Sequence, residues 1–420
     1  LLHTSDWHVG VTLGAIDRRP DLEVAADALV ALATEVRPDL ILHTGDLFDR
    51  SLPGGEDVRF AADTLGRLAA IAPVLVLCGN HDGRATFAGF DRFCAIGPRR
   101  LRLLPQIDVR DPVLAWPLAG GGRVRVVAVP YLPLAAAGFR AIAEGTVAEG
   151  AYADRVRQIW ALAGAALERD RRPDDVDVAA AHLHVAGAIL ARSEKSVHVG
   201  EDAATDAAAL PPVAYAAFGH IHRPQRVPGA LTGRYAGSMI PIDFGEEGEA
   251  KGAVVVDAQP GRAARVEFVT LATGRPLATV EGAIADLGGL LAPHPGAILR
   301  VRVTDETRIE HLAARVRDVL ATGAELYQAV PLRARPVAPA TAPAPDADVL
   351  TLLRGFAAAR GLGAADVEAI VGLWRSASGD DETDLSEGAI SAVEAALGTG
   401  RAPTAPSPTR TPGRGRTQKV

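Results

Sequence analysis

The sequence predicts an α/β fold built on a mainly parallel, two-faced sheet. Three observations carry this. Strand-like and helix-like segments alternate through the first third of the chain. Five of the predicted strands run into Asp, His or Asn at their carboxyl ends, the edge where sites form in such sheets. A 420-residue chain with 48% apolar residues can bury a sizeable core.

The elements follow in order. Residues 1–5 read as a strand and 20–36 as a helix, with Leu22, Ala25, Ala26, Leu29, Leu32 and Ala33 at helical spacing. Residues 39–44 form the second strand, 58–71 the second helix and 74–78 the third strand. Residues 109–129 read as a hairpin turning at Gly120, Gly121 and Gly122. A helix at 151–169 precedes short strands at 175–181 and 213–218. Residues 235–257 supply two more strands, separated by an acidic, Gly-containing turn. From about residue 276 the grammar changes. Strands at 277–280, 297–303 and 324–330 and helices at 284–291 and 309–320 fit a small separate β-α-β-α-β module.

This gives a first domain over 1–272, a module over 273–334 and a Pro/Ala-rich linker over 335–347. A helical region covers 348–398. The segment 399–420 has five basic and no acidic residues and is expected to be disordered.

Composition excludes several classes. The formal charge of −7 argues against a protein that simply coats nucleic acid. No apolar run reaches membrane-spanning length; the longest are broken by Arg123, Arg125 or His182. Two cysteines, Cys78 and Cys94, cannot form a disulfide framework, which predicts a reducing cytoplasm. No secretory leader is evident, and with no initiator Met a residue or two is expected to be missing. There is no Walker A sequence, so ATP hydrolysis is not expected of this chain.

The strand ends carry the chemistry. They read Asp6-Trp7-His8-Val9-Gly10, Gly45-Asp46-Leu47-Phe48-Asp49, Gly79-Asn80-His81-Asp82, His182-Leu183-His184 and Gly219-His220-Ile221-His222. Asp6 and His8 are two apart, so in an extended segment both point one way, as do His220 and His222, while Trp7 and Ile221 pack behind. Gly45, Gly79 and Gly219 suit close approach of the backbone. Asp, His and Asn without thiolate form a borderline-hard donor set suited to Mn, Fe or Zn. The donors exceed what one tetrahedral ion needs and suffice for two. Paired ions are a common device for attack on phosphorus, and Asp46 is the natural bridging carboxylate. His3 and His43, inside strands, read as core or supporting residues. His184 shares a face with His182, which leaves a ligand role open on spacing alone. Arg84 and the Arg99, Arg100, Arg102 cluster read equally as phosphate contacts or solvated surface.

Those five motifs resemble the calcineurin-like metallophosphoesterase superfamily. Two longer stretches, Gly219 to Gln225 and Tyr235 to Glu247 with Lys251 after it, resemble most closely the nuclease subunits of bacterial SbcCD complexes. The resemblance is firm over about residues 1–270. It implies a two-sheet αββα sandwich with a small α+β capping domain and C-terminal helices. It implies one metal held by Asp6, His8, Asp46 and His222, and a second by Asp46, Asn80, His182 and His220, with Mn2+ the expected ion. It implies that His81 is catalytic, contacting the scissile phosphate and protonating the leaving oxygen, and that His184 is not a ligand. Asp82 is expected to orient His81, and Asp49, where some relatives carry His, to orient a metal-bound His.

The implied activity is a metal-dependent 3′→5′ double-strand exonuclease and single-strand or hairpin endonuclease in DNA repair and recombination. The implied partners are DNA, a second copy of the chain, and the SbcC ATPase in a two-plus-two heterotetramer docked through 348–398. The implied location is the cytoplasm, with the nucleoid. One rival reading is a small-molecule phosphodiesterase or phosphatase; the C-terminal extension and the 244–251 segment favour the nuclease. Another is a non-catalytic subunit that holds DNA ends; the complete ligand set argues against it.

Overall fold

A computed structural model of the chain describes residues 1–133, 152–191, 204–229, 232–305 and 309–332. The linker, helices and basic tail expected beyond 334 lie outside the described residues.

Strand β1 (Leu2–Thr4) leads through a ribbon, β2 (Thr12–Leu13) and β3 (Ile16–Asp17), into helix α1 (Arg19–Val36). Then come β4 (Ile41–His43), α2 (Gly55–Ile71), β5 (Val74–Leu77), α3 (Arg84–Cys94), β6 (Leu101–Leu104), β7 (Val113–Pro117) and β8 (Arg123–Val129). The next run is α4 (Tyr152–Arg169), β9 (Val176–His182), β10 (Tyr215–Gly219), β11 (Gln225–Arg226), β12 (Gly233–Tyr235), β13 (Gly252–Asp257) and β14 (Arg265–Thr270). Last are β15 (Leu277–Gly282), α5 (Leu287–Leu291), β16 (Ile298–Val303), α6 (Leu312–Arg317) and β17 (Glu325–Pro331).

Two six-stranded sheets result, ordered β14-β13-β1-β4-β5-β6 and β11-β12-β10-β9-β8-β7. β1, β4, β5 and β6 run parallel, as do β8, β9, β10 and β12. Side-chain alternation explains how the sheets stack. In β5, Leu75 and Leu77 enter the core between the sheets, while Val74 and Val76 face the α1–α2 side. In β8, Val126 and Ala128 face inward and Val127 and Val129 face α4. Both faces are buried, so these strands are apolar throughout. This is the expected αββα sandwich.

The helices form where their sequences favour them. α1 buries the six-residue stripe named above and ends at Arg37 with a left-handed φ of 46°. α2 begins before the expected residue 58, because Glu56 and Asp57 suit a first turn and the Gly54 N–H donates to Asp57 Oδ2 at 3.3 Å. Four features carry no clear sequence signal: the β2–β3 ribbon, α3, β6 and β14. α3 buries only Phe87, so it has no apolar stripe to detect. The strand expected to start at 235 instead ends there; a loop with a 3-10 turn (Phe244–Glu246) leads to β13.

β15, β16 and β17 form a separate parallel sheet with its own apolar core, including Val280, Leu287, Leu299, Val301 and Val316. Leu13, Ile16, Phe244, Leu277 and Ile298 join it to the ribbon and the 3-10 turn. No helix among the described residues is long and apolar enough to cross a membrane.

Candidate metal centre

The carboxyl ends of β1, β4 and β5 in one sheet and of β9 and β10 in the other open on the same edge. The chain turns sharply there. Asp6, His8, Asp46 and His220 have φ of 50°, 48°, 54° and 91°. They are four of the six non-glycine residues with positive φ among the described residues. Such conformations cost about 1–3 kcal/mol each and persist only where surroundings impose them. The extended Asp6–His8 segment expected from spacing is therefore not what forms; β1 has ended at Thr4. Hydrogen bonds hold the strained turns: Asp6 N to Gly45 O at 2.9 Å, His8 N to Asp46 O at 3.1 Å, and His220 N to Asp6 Oδ1 at 3.1 Å. Trp7 and Ile221 are fully buried behind the turns, as expected.

Two glycines are required by space. A Cβ at Gly79 would fall on the Asp46 carboxylate and main-chain N. A Cβ at Gly45, where φ is 107°, would fall on the His182 ring.

The side chains converge in two groups. His8 Nε2 lies 3.2 Å from His222 Nε2 and 3.6 Å from Asp46 Oδ2, and Asp6 offers an oxygen to the same cluster. Across Asp46, His182 Nε2 lies 3.4 Å from Oδ2 of that carboxylate and 2.9 Å from Asn80 Oδ1. His220 Nδ1 is 2.8 Å from the same Asn80 oxygen. Asp46 is thus in reach of an imidazole from each group, and Asp6 also approaches both clusters. His81 stands edge-on to His8, with ring centroids 4.7 Å apart.

The donors fit divalent cations. His222 Nδ1 faces the Glu246 carboxylate and His182 Nδ1 faces the Thr44 carbonyl, so each carries its proton there. Their Nε2 lone pairs then point at other acceptors: His8 Nε2, Asn80 Oδ1 and Asp46 Oδ2. A cation relieves such acceptor–acceptor contacts. The set of carboxylate, imidazole and amide oxygen suits a borderline-hard ion.

Residues 1–224 match the family described as calcineurin-like phosphoesterase. The chain belongs to that family. It is similar to SbcD, the nuclease component of SbcCD, from Bacillus subtilis, at 31% identity over 66% of this chain and 71% of the relative. It is similar to the protein of the same name from Rhodobacter capsulatus, at 31% identity over 86% and 94%. The Escherichia coli K12 counterpart is 26% identical over 76% and 81%. A calcineurin-like phosphoesterase hydrolyses phosphate esters with divalent metal ions.

The electrostatics of this phosphoesterase site favour positive charge. Burial alone would lower His182, but the Asp46 and Asp6 charges overcome it and raise its pKa to about 9. Burial opposes ionisation of Asp46 too, yet His182, His8 and His81 hold it well below the usual carboxylate range. Asp82 is pushed up to about 7 by burial and by Asp46, against the N–H groups of Gly79, Phe48 and Leu47.

Asp82 does not take the position expected of it. Its Oδ1 accepts from Phe48 N at 2.9 Å, and its Oδ2 from Gly79 N at 2.8 Å and Leu47 N at 3.2 Å. It therefore pins two loops together, while His81 Nδ1 donates to the Asp49 carbonyl at 2.9 Å. The Asp49 carboxylate lies 3.5 Å from His8 Nδ1 and 4.0 Å from His81 Nδ1. His184 is buried outside these groups, its main-chain O accepting from Thr205 N and Oγ1. Arg84 donates to the Tyr131 carbonyl and Arg99 pairs with Asp91. Sequence reasoning passed over three neighbours: the Thr44 carbonyl, Tyr131 beside His182 and His220, and Glu246. Glu246 and Lys251 stood in a motif stretch, but nothing in the spacing announced a contact with His222.

Proposed function

We propose that this chain is the metal-dependent DNA nuclease subunit of an SbcCD-type complex, acting as a 3′→5′ exonuclease on duplex ends and an endonuclease on single strands and hairpins. The observation that carries the reading is the pair of donor groups meeting at Asp46, with His81 against their rim. Asp6, His8, Asp46 and His222 hold one divalent ion; Asp46, Asn80, His182 and His220 hold the other, with Mn2+ the expected metal. When bound, the ions supply Lewis-acid activation of water and neutralise charge on the phosphodiester.

The chain's own groups do the rest. Asp46 keeps both donor groups in register, and Asp49 steadies His8. The His81 main-chain N donates to Asp46 Oδ1 at 2.8 Å and its Nδ1 to the Asp49 carbonyl, which fixes the ring. Nε2 is then the atom that donates to the phosphate and passes a proton to the departing sugar oxygen. Residues 273–334 act as a cap that guides which strand reaches the site. Residues 348–398 dock the SbcC-type ATPase in a two-plus-two assembly, with two copies of this chain paired. The location is the cytoplasm, with the nucleoid.

The names of the relatives support the substrate class, because they are nuclease subunits over most of their length. The test is a cleavage assay in Mn2+ comparing linear DNA, bis-p-nitrophenyl phosphate and cyclic nucleotides, with and without the ATPase. Preferential hydrolysis of DNA, increased by the ATPase, is expected. Turnover of cyclic nucleotides with inert DNA would overturn the reading.

A further inference from the structure

His222 is gripped from behind. Its Nδ1 lies 3.0 Å from Glu246 Oε1. Glu246 Oε2 accepts from Ser238 Oγ at 2.7 Å and lies 2.6 Å from Lys251 Nζ. Lys251 Nζ in turn donates to the main-chain oxygen of His222 at 2.8 Å and to Glu249 at 3.1 Å. Glu246 is 0% and Lys251 1% exposed. The pair therefore holds both the ring and the backbone of one residue.

Burying a carboxylate and an ammonium this deeply is rarely a net gain in stability over two apolar side chains of the same size. The pair calls for another explanation, and the grip on His222 supplies one. A positioning group must itself be fixed, and the turn carrying Glu246 is. Asp243 Oδ1 caps it through Gly245 N at 2.6 Å. Phe244 is stacked on Tyr327, with centroids 5.2 Å apart, and lies under the Arg300 guanidinium at 4.5 Å. Glu247 accepts from Thr279 N at 2.7 Å. The carboxylate cannot follow a wandering imidazole; the imidazole must follow it.

We propose that Glu246, held by Lys251 and Ser238, is the positioning residue of His222, fixing its Nδ1–H tautomer and ring plane so that Nε2 faces the metal centre. The inference rests on the functional reading only in taking His222 as a metal ligand. A size-matched neutral background avoids leaving Lys251 buried and unpaired: the double variant Glu246→Met, Lys251→Met, compared with Glu246→Gln, Lys251→Met, which keeps an acceptor for Nδ1–H.

The experiment titrates Mn2+ into the metal-free full chain by calorimetry and follows His222 by 15N imidazole NMR. The Met/Met variant is expected to fold, to bind one of two ions about 10–100-fold more weakly, and to lose the Nδ1–H tautomer at His222. The Gln/Met variant should recover the tautomer and most of the affinity. Wild-type affinity for both ions in Met/Met, or equal affinities in the two variants, would overturn the proposal. Failure of the wild type to cleave DNA would sink the nuclease reading without touching this one, because neither readout uses a nucleic acid.

Discussion

His81 is the residue whose role separates binding from chemistry. Both its anchors, the Asp46 carboxylate and the Asp49 carbonyl, belong to the site, yet the ring itself stands beside the donor groups rather than between them. His81→Gln should leave Mn2+ stoichiometry and affinity intact and lower cleavage by about 10²–10⁴-fold. Calorimetry and a cleavage assay on one preparation check this; lost metal would make His81 a ligand. Gly79 is a second diagnostic position. Gly79→Ala drives a methyl into Asp46 and should cost more than about 2 kcal/mol, measured as a lower urea midpoint. The acid limit of stability belongs to His3 and His43. Burial first, then Arg234 for His3 and His182 for His43, lowers each pKa to about 3 from 6.5. The folded state keeps them neutral while the unfolded chain takes up protons below 6.5. Stability is therefore full above that pH and falls toward 3, by about 1.4 kcal/mol per pH unit for each ring. Urea melts between pH 7 and 5 should show this slope, and His43→Gln should flatten it by half. At this scale the sequence was informative where type and spacing coincide, as at Asp6, His8, Asn80, His220 and His222. It was silent where function depends on a partner far along the chain. Asp82 looked like a partner for its neighbour His81 but reaches Leu47 and Phe48 instead, and Glu246 meets His222 from 24 positions away.

Elements were legible in proportion to how much apolar surface they bury. α1 and the central strands bury nearly every apolar side chain, so period and run length found them. α3 and β14 lie at the margins and expose most of their surface, and their sequences look like loop. One element interaction had no sequence signature and merits a measurement. Arg125 in β8 stands opposite Asp177 in β9 and bonds it through Nε and Nη2 at 2.8 and 2.9 Å, with Asp175 3.1 Å from Nε. Arg125 is 1% exposed. Arg125→Met strands two acidic side chains against a buried edge and should destabilise by about 3–5 kcal/mol. Adding Asp177→Leu should recover part of that loss in urea denaturation. A single-variant cost below about 1 kcal/mol would mean that water, not Asp177, satisfies the guanidinium.

For the whole molecule the decisive quantity is charge. A chain with a formal charge of −7 whose proposed substrate is a polyanion has to gather positive potential locally. The metal centre concentrates acidic and imidazole groups, and His182 is raised to about 9 because that pocket favours a cation. Two divalent ions add about +4 where the phosphate must bind. DNA affinity should therefore follow metal occupancy more steeply than it follows the chain's own basic residues. Fluorescence anisotropy with a short duplex, using the His81→Gln variant to prevent cleavage, measures this. In EDTA the isolated chain should bind at least about tenfold more weakly than in Mn2+. The dependence of log affinity on log salt should be shallow, matching few phosphate contacts. Removing residues 348–420 should leave that metal-dependent binding in place while abolishing co-purification with the ATPase. Tight, steeply salt-dependent binding in EDTA would instead show that a basic surface, not the metal centre, recruits the DNA.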